Sequence, residues 1–242
     1  MVDLAKDSLD KPETRVLEPA CGNGNFLIEI LNRKLDTIDR RHGKRQTEWE
    51  QGALLTVTSL YGVDIQSDNA AATRTRLCAC VMSRARARFG KKKVTPGMEE
   101  ALLAILSVNI VHGDALSMRS LNPSEPLQFT EWSMLGAMVK RRVFSYANLV
   151  DREKAFIEQS TSKPTKKNDS PNLDKARKPS KKQTALQQIE TTNQAYKYVV
   201  HPIRDYAPVL FMELASTIKK ERKMHEAEQS TNPDTTPHEH KF

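Results

Sequence analysis

Eleven consecutive residues, Val16-Leu17-Glu18-Pro19-Ala20-Cys21-Gly22-Asn23-Gly24-Asn25-Phe26, constrain the fold of this chain more than any other stretch. Thr14 to Glu18 reads as a short strand with apolar Val16 and Leu17, broken by Pro19, Gly22 and Gly24. From Asn25 onward Phe26, Leu27, Ile30, Leu31 and Leu35 recur at helical spacing. A strand that ends in a carboxylate, turns through glycines and enters a helix presents backbone N–H groups to a ligand. Gly22 and Gly24 lack the Cβ that would hold that ligand away. A dinucleotide site would carry a third glycine, and it is absent. The turn therefore suits a ligand without phosphates.

The alternation continues to residue 114. A polar insert over 40–46 leads into a helix expected from about Thr47 to Thr58, and residues 60–65 read as a buried second strand. Ser67 or Asp68 is expected to cap the next helix, Asn69 to about Arg88, which buries Ala72, Leu77, Val81 and Cys80. Gly90 and Pro96-Gly97 punctuate a basic loop, Met98 to Leu106 follows as a short helix, and Asn109 to His112 as a third strand ending at Gly113-Asp114. Strand and helix in turn imply an α/β fold with a parallel central sheet and right-handed crossovers.

Beyond residue 116 the pattern weakens. Leu127 to Trp132 suits a strand and Val143 to Phe156 a helix. Residues 160–184 hold eight Lys or Arg, from Lys163 to Lys182, against Asp169 and Asp174, with almost nothing apolar. That composition predicts a flexible basic linker that doubles as an electrostatic arm. Tyr196 to Val200 and Pro208 to about Arg222 form a second ordered patch, with Leu210, Phe211, Leu214 and Ile218 on one helical face. The expected organisation is a principal domain over 1–159, a linker over 160–190, a small helical segment over 191–228 and a tail over 229–242.

The residues quoted above carry a family resemblance. The nine positions Glu18, Pro19, Ala20, Cys21, Gly22, Asn23, Gly24, Asn25 and Phe26 resemble the S-adenosyl-L-methionine (AdoMet) motif Asp/Glu-Pro-Ala-Cys-Gly-x-Gly-x-Phe of the N6-adenine DNA methyltransferases of restriction–modification systems. Tyr61-Gly62-Val63-Asp64-Ile65 is similar to their second motif, whose acidic residue accepts the ribose hydroxyls. Asn109 to Leu116, with Asp114 and Ala115, is similar to the third, whose Asp receives the cofactor's adenine amino group. The resemblance spans roughly residues 14–116 and implies a Rossmann-like AdoMet-dependent methyltransferase fold. It implies a cofactor site of Glu18, Pro19, Ala20, Cys21, Gly22, Gly24, Asn25, Phe26, Asp64, Ile65, Asp114 and Ala115. Each acidic residue also has a plainer reading: Asp64 as the end of a strand, Asp114 as the cap of a helix from Ala115. Cys21 fits as a small residue in a turn rather than as a nucleophile.

The family's Asn/Asp-Pro-Pro-Tyr/Phe motif, which holds and stacks the target base, has no counterpart. Asn122-Pro123-Ser124-Glu125 lacks the second proline and the aromatic ring, Asn232-Pro233-Asp234-Thr235 departs further, and both read as turns. A cytosine-C5 enzyme would need a Pro-Cys pair, also absent. Upstream, only Val2 to Lys6 could match the segment that closes over the methionine part of the cofactor. No catalytic residue is assigned. A truncated product, a subunit completed in trans by a partner, and a relative that has lost catalysis all remain open.

A net charge of +8 favours a polyanionic partner, nucleic acid first. Arg74, Arg76, Arg84, Arg86 and Arg88 with Lys91, Lys92 and Lys93 are the candidate DNA contacts, supplemented by Lys140-Arg141-Arg142 and the linker; a solvated helix face is the alternative. Phe129, Trp132 and Phe144 are the aromatics near the site, with core packing as the expected role. No run reaches the roughly 18 apolar residues of a membrane span, and the acidic N-terminus is unlike a signal peptide. A cytoplasmic location follows, with no metal: three cysteines, two as Cys78-x-Cys80, make neither a disulfide framework nor a zinc site.

Overall fold

The glycine turn is set by strands that pair only at long range. In the computed structural model, which describes residues 11–121, 125–146 and 202–230, β1 (Val16–Glu18), β2 (Leu60–Asp64) and β3 (Ile110–Asp114) lie parallel in the order β1-β2-β3. A two-residue β4 (Arg119–Ser120) returns antiparallel on β3. Every residue of β2 is buried, as suits the middle strand of a parallel sheet. Four helices lie between these strands, α1 (Asn25–His42) and α2 (Gln46–Thr58) after β1, α3 (Ser67–Phe89) and α4 (Met98–Asn109) after β2; a fifth, α5 (Leu214–Ser230), comes late in the chain. The chain is thus α/β with a sheet containing parallel strands and five α-helices among the described residues.

The main core is helical. Leu27, Ile30 and Leu31 of α1, Trp49 of α2, Leu77 and Val81 of α3, and Leu102 and Ile105 of α4 have no exposed surface. Lys34 shares that buried face of α1, where its period calls for an apolar residue. Its ammonium donates to the carbonyls of Pro12 and Thr14 and to Ser59 Oγ (2.6 Å), fixing the chain that leads into β1. Burial pushes its pKa down to about 8.

A second layer begins with the hairpin of β5 (Gln128–Leu135) and β6 (Met138–Ser145), closed through Gly136 at φ 63°. It rests on the sheet through a small cluster of Tyr61, Val63, Leu127 and Phe129. Tyr61 Oη donates to the Thr130 carbonyl (2.7 Å), and Trp132 Nε1 donates to Asn109 Oδ1 (2.9 Å). Asn109 Nδ2 in turn donates to the Leu60 carbonyl (3.0 Å), so one buried amide joins hairpin and sheet.

Several expectations need correction. Val143, expected to open a helix, lies in β6 opposite Thr130. Phe144 and Ser145 continue that strand, and residues 147–156 of the expected helix, like the linker over 160–190, lie outside the described residues. Neither Ser67 nor Asp68 is the cap residue of α3: both lie inside it, Gln66 is the cap without a side-chain capping bond, and Asp68 Oδ1 accepts from Asn69 N–H (3.0 Å) within the first turn. The polar insert is shorter than expected, because Arg40 to His42 complete α1. The late patch is more than a helix. β7 (Arg204–Asp205) and β8 (Val209–Leu210) extend the hairpin sheet along β6, and a 3-10 turn (Phe211–Glu213) leads into α5. Phe211, Leu214 and Ile218 join the main core, while Leu210 stays exposed.

No described helix is long and apolar enough to cross a membrane.

Candidate functional site

Parallel pairing brings the acidic residues together. In register, Glu18 lies opposite Gly62 and Asp64 opposite His112, so Glu18, Asp64 and Asp114 end three adjacent strands at the same, carboxyl edge of the sheet. That edge is where open α/β sheets bind ligands.

The glycine turn is tied down from several sides. Cys21 N–H donates to the Val63 carbonyl (2.9 Å), Gly24 N–H to the Cys21 carbonyl (2.8 Å), and Gly22 N–H to Asp64 Oδ2 (2.6 Å). Thr73 Oγ1 of α3 donates to the Gly22 carbonyl (3.0 Å). Gly22 and Gly24 both have left-handed backbone, at φ 52° and 82°. Their surroundings differ. A Cβ on Gly24 would lie 2.7 Å from Thr73 Cγ2 and 2.8 Å from Thr73 Oγ1, whereas one on Gly22 would meet nothing within 4 Å.

The open space above Gly22 is where a ligand would approach. Gly22→Ala is therefore expected to cost about 1 kcal/mol, from the left-handed backbone alone, but to weaken ligand binding. Gly24→Ala adds overlap with a buried threonine and should cost about 2–4 kcal/mol. Urea melts and ligand titrations on the two variants check this. Equal stability losses would mean that the space above Gly22 is filled.

The residues at this edge suit a cationic, hydroxyl-bearing ligand. Asp64, 7% exposed, accepts from Gly22 N–H on one oxygen and from Gln66 N–H (2.9 Å) and Asn69 Nδ2 (3.1 Å) on the other. Three donors leave one of its roughly four lone-pair sites open, and the Asn69 amide is a side chain that can move aside. Glu18 Oε2 is buried without a hydrogen-bond partner, an orphaned acceptor beside the turn. Burial first, and the Asp64 charge second, push the Glu18 pKa up to about 7. The first turn of α1 carries no acidic residue and no side-chain cap, so its N–H groups offer partial positive charge for a carboxylate.

The raised pKa has a testable sign. Folded Glu18 holds its proton to about 7 instead of 4.5, so its contribution to stability is present near pH 4.5 and lost as pH rises through about 7. Glu18→Gln should therefore gain thermal midpoint over wild type above pH 7 and little near pH 4.5. A gain independent of pH would refute this account of Glu18.

The other expected site residues are less involved. Asp114 Oδ1 accepts from Leu116 N–H (2.8 Å), and this bond, with those from Ser117, holds its carboxyl below the usual range. It caps a turn, since no helix begins at Ala115. Ala115 packs against the small cluster under the hairpin, and Ile65 is 62% exposed just past β2. Pro19 and Ala20 are exposed in the turn, Asn25 opens α1, and Phe26 packs against the main core. Burial, then Asp64 and Glu18, push the Cys21 thiol up to about 11, so it stays protonated and is a poor nucleophile. Its side chain instead fills the space left by Gly62, where a Cβ would lie 3.1 Å from Cys21 Sγ.

The arginines of α3 serve the protein's own structure to an extent that spacing does not reveal. Arg76 donates to the Asn23 carbonyl and to Asn25 Oδ1 (2.9 Å), clamping the glycine turn. Arg74 Nε donates to the Ile110 carbonyl (2.8 Å). Arg84 pairs with Asp36 and Asp39, Arg88 with Asp39 (2.8 Å), and Arg86 with Glu99 (2.8 Å). Lys91, Lys92 and Lys93 are exposed in the following loop. Of the aromatics, Phe129 and Trp132 are buried; Phe144 lines, with Leu17, Tyr61, Phe129 and Tyr146, an apolar groove of about 440 Å³ beside β1.

No family model, curated protein or solved structure matches the chain.

Proposed function

We propose that the chain is the AdoMet-binding, Rossmann-like part of a DNA methyltransferase of the adenine-N6 type. The observation that carries this reading is that Glu18, Asp64 and Asp114 end three parallel strands at one carboxyl edge, where Asp64 holds the glycine turn. The orphaned oxygen of Glu18 and the open space above Gly22 support it, because AdoMet brings an ammonium and a sulfonium to such a place. Asp64 would accept from the ribose hydroxyls, Asp114 from the adenine amino group, and the first turn of α1 would receive the carboxylate. Bound AdoMet supplies an electrophilic methyl group for transfer to an amine. The chain's own contribution is orientation and exclusion of water, which require few titrating side chains. The exposed Lys91, Lys92 and Lys93 and the net charge of +8 favour DNA as the polyanion. Free thiols at Cys21, Cys78 and Cys80 accord with a reducing cytoplasm.

A second reading, a cofactor-binding subunit completed by a partner chain, is favoured by one feature. Among the described residues β1 pairs only with β2, so its other edge offers unpaired backbone groups beside the apolar groove. A doubly wound sheet would place its next strand there.

Transfer of labelled methyl from AdoMet to unmethylated DNA, with AdoMet binding recorded on the same preparation, tests both readings. Incorporation into adenine supports the first. Binding without incorporation supports the second, and absence of binding sinks both.

A further inference from the structure

Away from the glycine turn, a cavity of about 260 Å³ opens between the end of α4, strands β3 and β5–β7, and α5. Arg141, Arg204 and Arg222 all line it. Arg141 occupies an inward position of β6 between Val139 and Val143, where the alternation of a half-buried strand calls for an apolar side chain. It is 7% exposed. Its guanidinium stacks on the Tyr206 ring, 3.7 Å from the centroid, and faces Glu221 of α5 as an ion pair. The atom that faces Glu221 Oε2 is the buried Nη2, so the ion pair takes up that donor.

A buried guanidinium is costly unless its donors are used. Arg204 and Arg222 add to that cost, since burial and then their charges help hold the Arg141 pKa below its usual value, against the opposing effect of Tyr206. The cavity's carboxylates, Glu221 and Glu125, are outnumbered by its arginines. Arg222 Nη2 donates to the Ser107 carbonyl (3.2 Å) and Oγ (3.0 Å), which draws its planar head toward the cavity mouth.

We propose that this cavity is a binding site for a phosphoryl group. Three guanidiniums on separate elements, outnumbering the two carboxylates beside them, match the several acceptor oxygens of a tetrahedral anion better than the two of a carboxylate. The phosphoryl group can belong to a nucleic-acid backbone or to a free phosphate. In either case it would neutralise the cationic surplus and join α5 to the hairpin sheet.

Inorganic phosphate is the probe, titrated into the full chain at constant ionic strength with chloride as the control and followed by ³¹P line broadening and thermal midpoint. Phosphate is expected to broaden and to raise the midpoint. Arg204→Gln and Arg222→Gln should each weaken the effect by about tenfold or more, the worth of one charge-assisted bond. Both side chains lie at the margin of the fold; Arg141, which holds β6 to α5, is left intact. Short duplex DNA that displaces phosphate identifies the backbone as the source, and failure to displace it identifies a free phosphate. No broadening beyond the chloride control overturns the proposal, as does broadening that both variants retain, or preference for an acidic peptide over phosphate. AdoMet binding on the same samples keeps this result separate from the methyltransferase reading.

Discussion

Asp64→Ala is expected to lower AdoMet affinity at least about 100-fold, since two charge-assisted bonds to a ribose diol at about 1.5–3 kcal/mol each amount to two decades or more. The substitution also releases Gly22 N–H, which Asp64 holds at 2.6 Å. The glycine turn thus loses its anchor together with the acceptor proposed for the ribose. Asp64→Asn separates these roles. The asparagine keeps one acceptor oxygen but turns a donor either toward Gly22 N–H or toward both Gln66 N–H and the Asn69 amide. Most of the affinity should therefore be lost in both variants, with circular dichroism unchanged. Calorimetric titration of AdoMet decides it. An Asp64→Ala protein that binds AdoMet like wild type would mean that this carboxylate serves only to hold the turn.

What could be read from the sequence was what depends on neighbours along the chain. The glycine turn, the strand before it and the helix after it are local features, and the positive φ at Gly22 and Gly24 is the reason glycine stands there. Asp64 was legible as a strand end, but its grip on Gly22 joins residues 42 positions apart. Orphaned Glu18 Oε2 had no sequence signal beyond the carboxylate at the strand end, because burial is a tertiary property.

The hairpin was harder for a physical reason. Its second strand carries Arg141 between Val139 and Val143, and that charge interrupts the apolar alternation that marks a strand. Only Glu221 and Tyr206, supplied from far along the chain, make its burial tolerable. The Lys140-Arg141-Arg142 run likewise divides by pleat. Lys140 pairs with Asp205 and Arg142 with Glu131, while Arg141 turns inward between them. Two-residue strands such as β7 and β8 exist only because β6 is beside them.

The second large effect lies at Asp39, where α1, α2 and α3 meet. Its Oδ1 accepts from Trp49 Nε1 (2.6 Å), and its Oδ2 pairs with Arg84 (2.9 Å) and Arg88 (2.8 Å). Trp49 is fully buried, so Asp39→Ala leaves an indole N–H without a partner inside the core, at about 1–3 kcal/mol. The half-exposed arginine pairs add less, about 1 kcal/mol together after allowance for solvent. A loss near 3 kcal/mol is the expected sum, read as a lower urea midpoint at unchanged slope. The same variant bears on DNA binding, since it takes Asp39 from Arg88 and leaves Arg84 with Asp36 alone of its two carboxylates. If these arginines serve mainly to clamp the helices, Asp39→Ala weakens the fold and raises nonspecific DNA affinity only modestly. If instead Arg84 and Arg88 leave Asp39 for phosphates in the complex, DNA should lower the stability difference between the two proteins, and melts with and without duplex would reveal it. A stability loss below about 1 kcal/mol, within the range of surface substitutions, would show that water replaces Asp39 at the Trp49 indole and that the node contributes little.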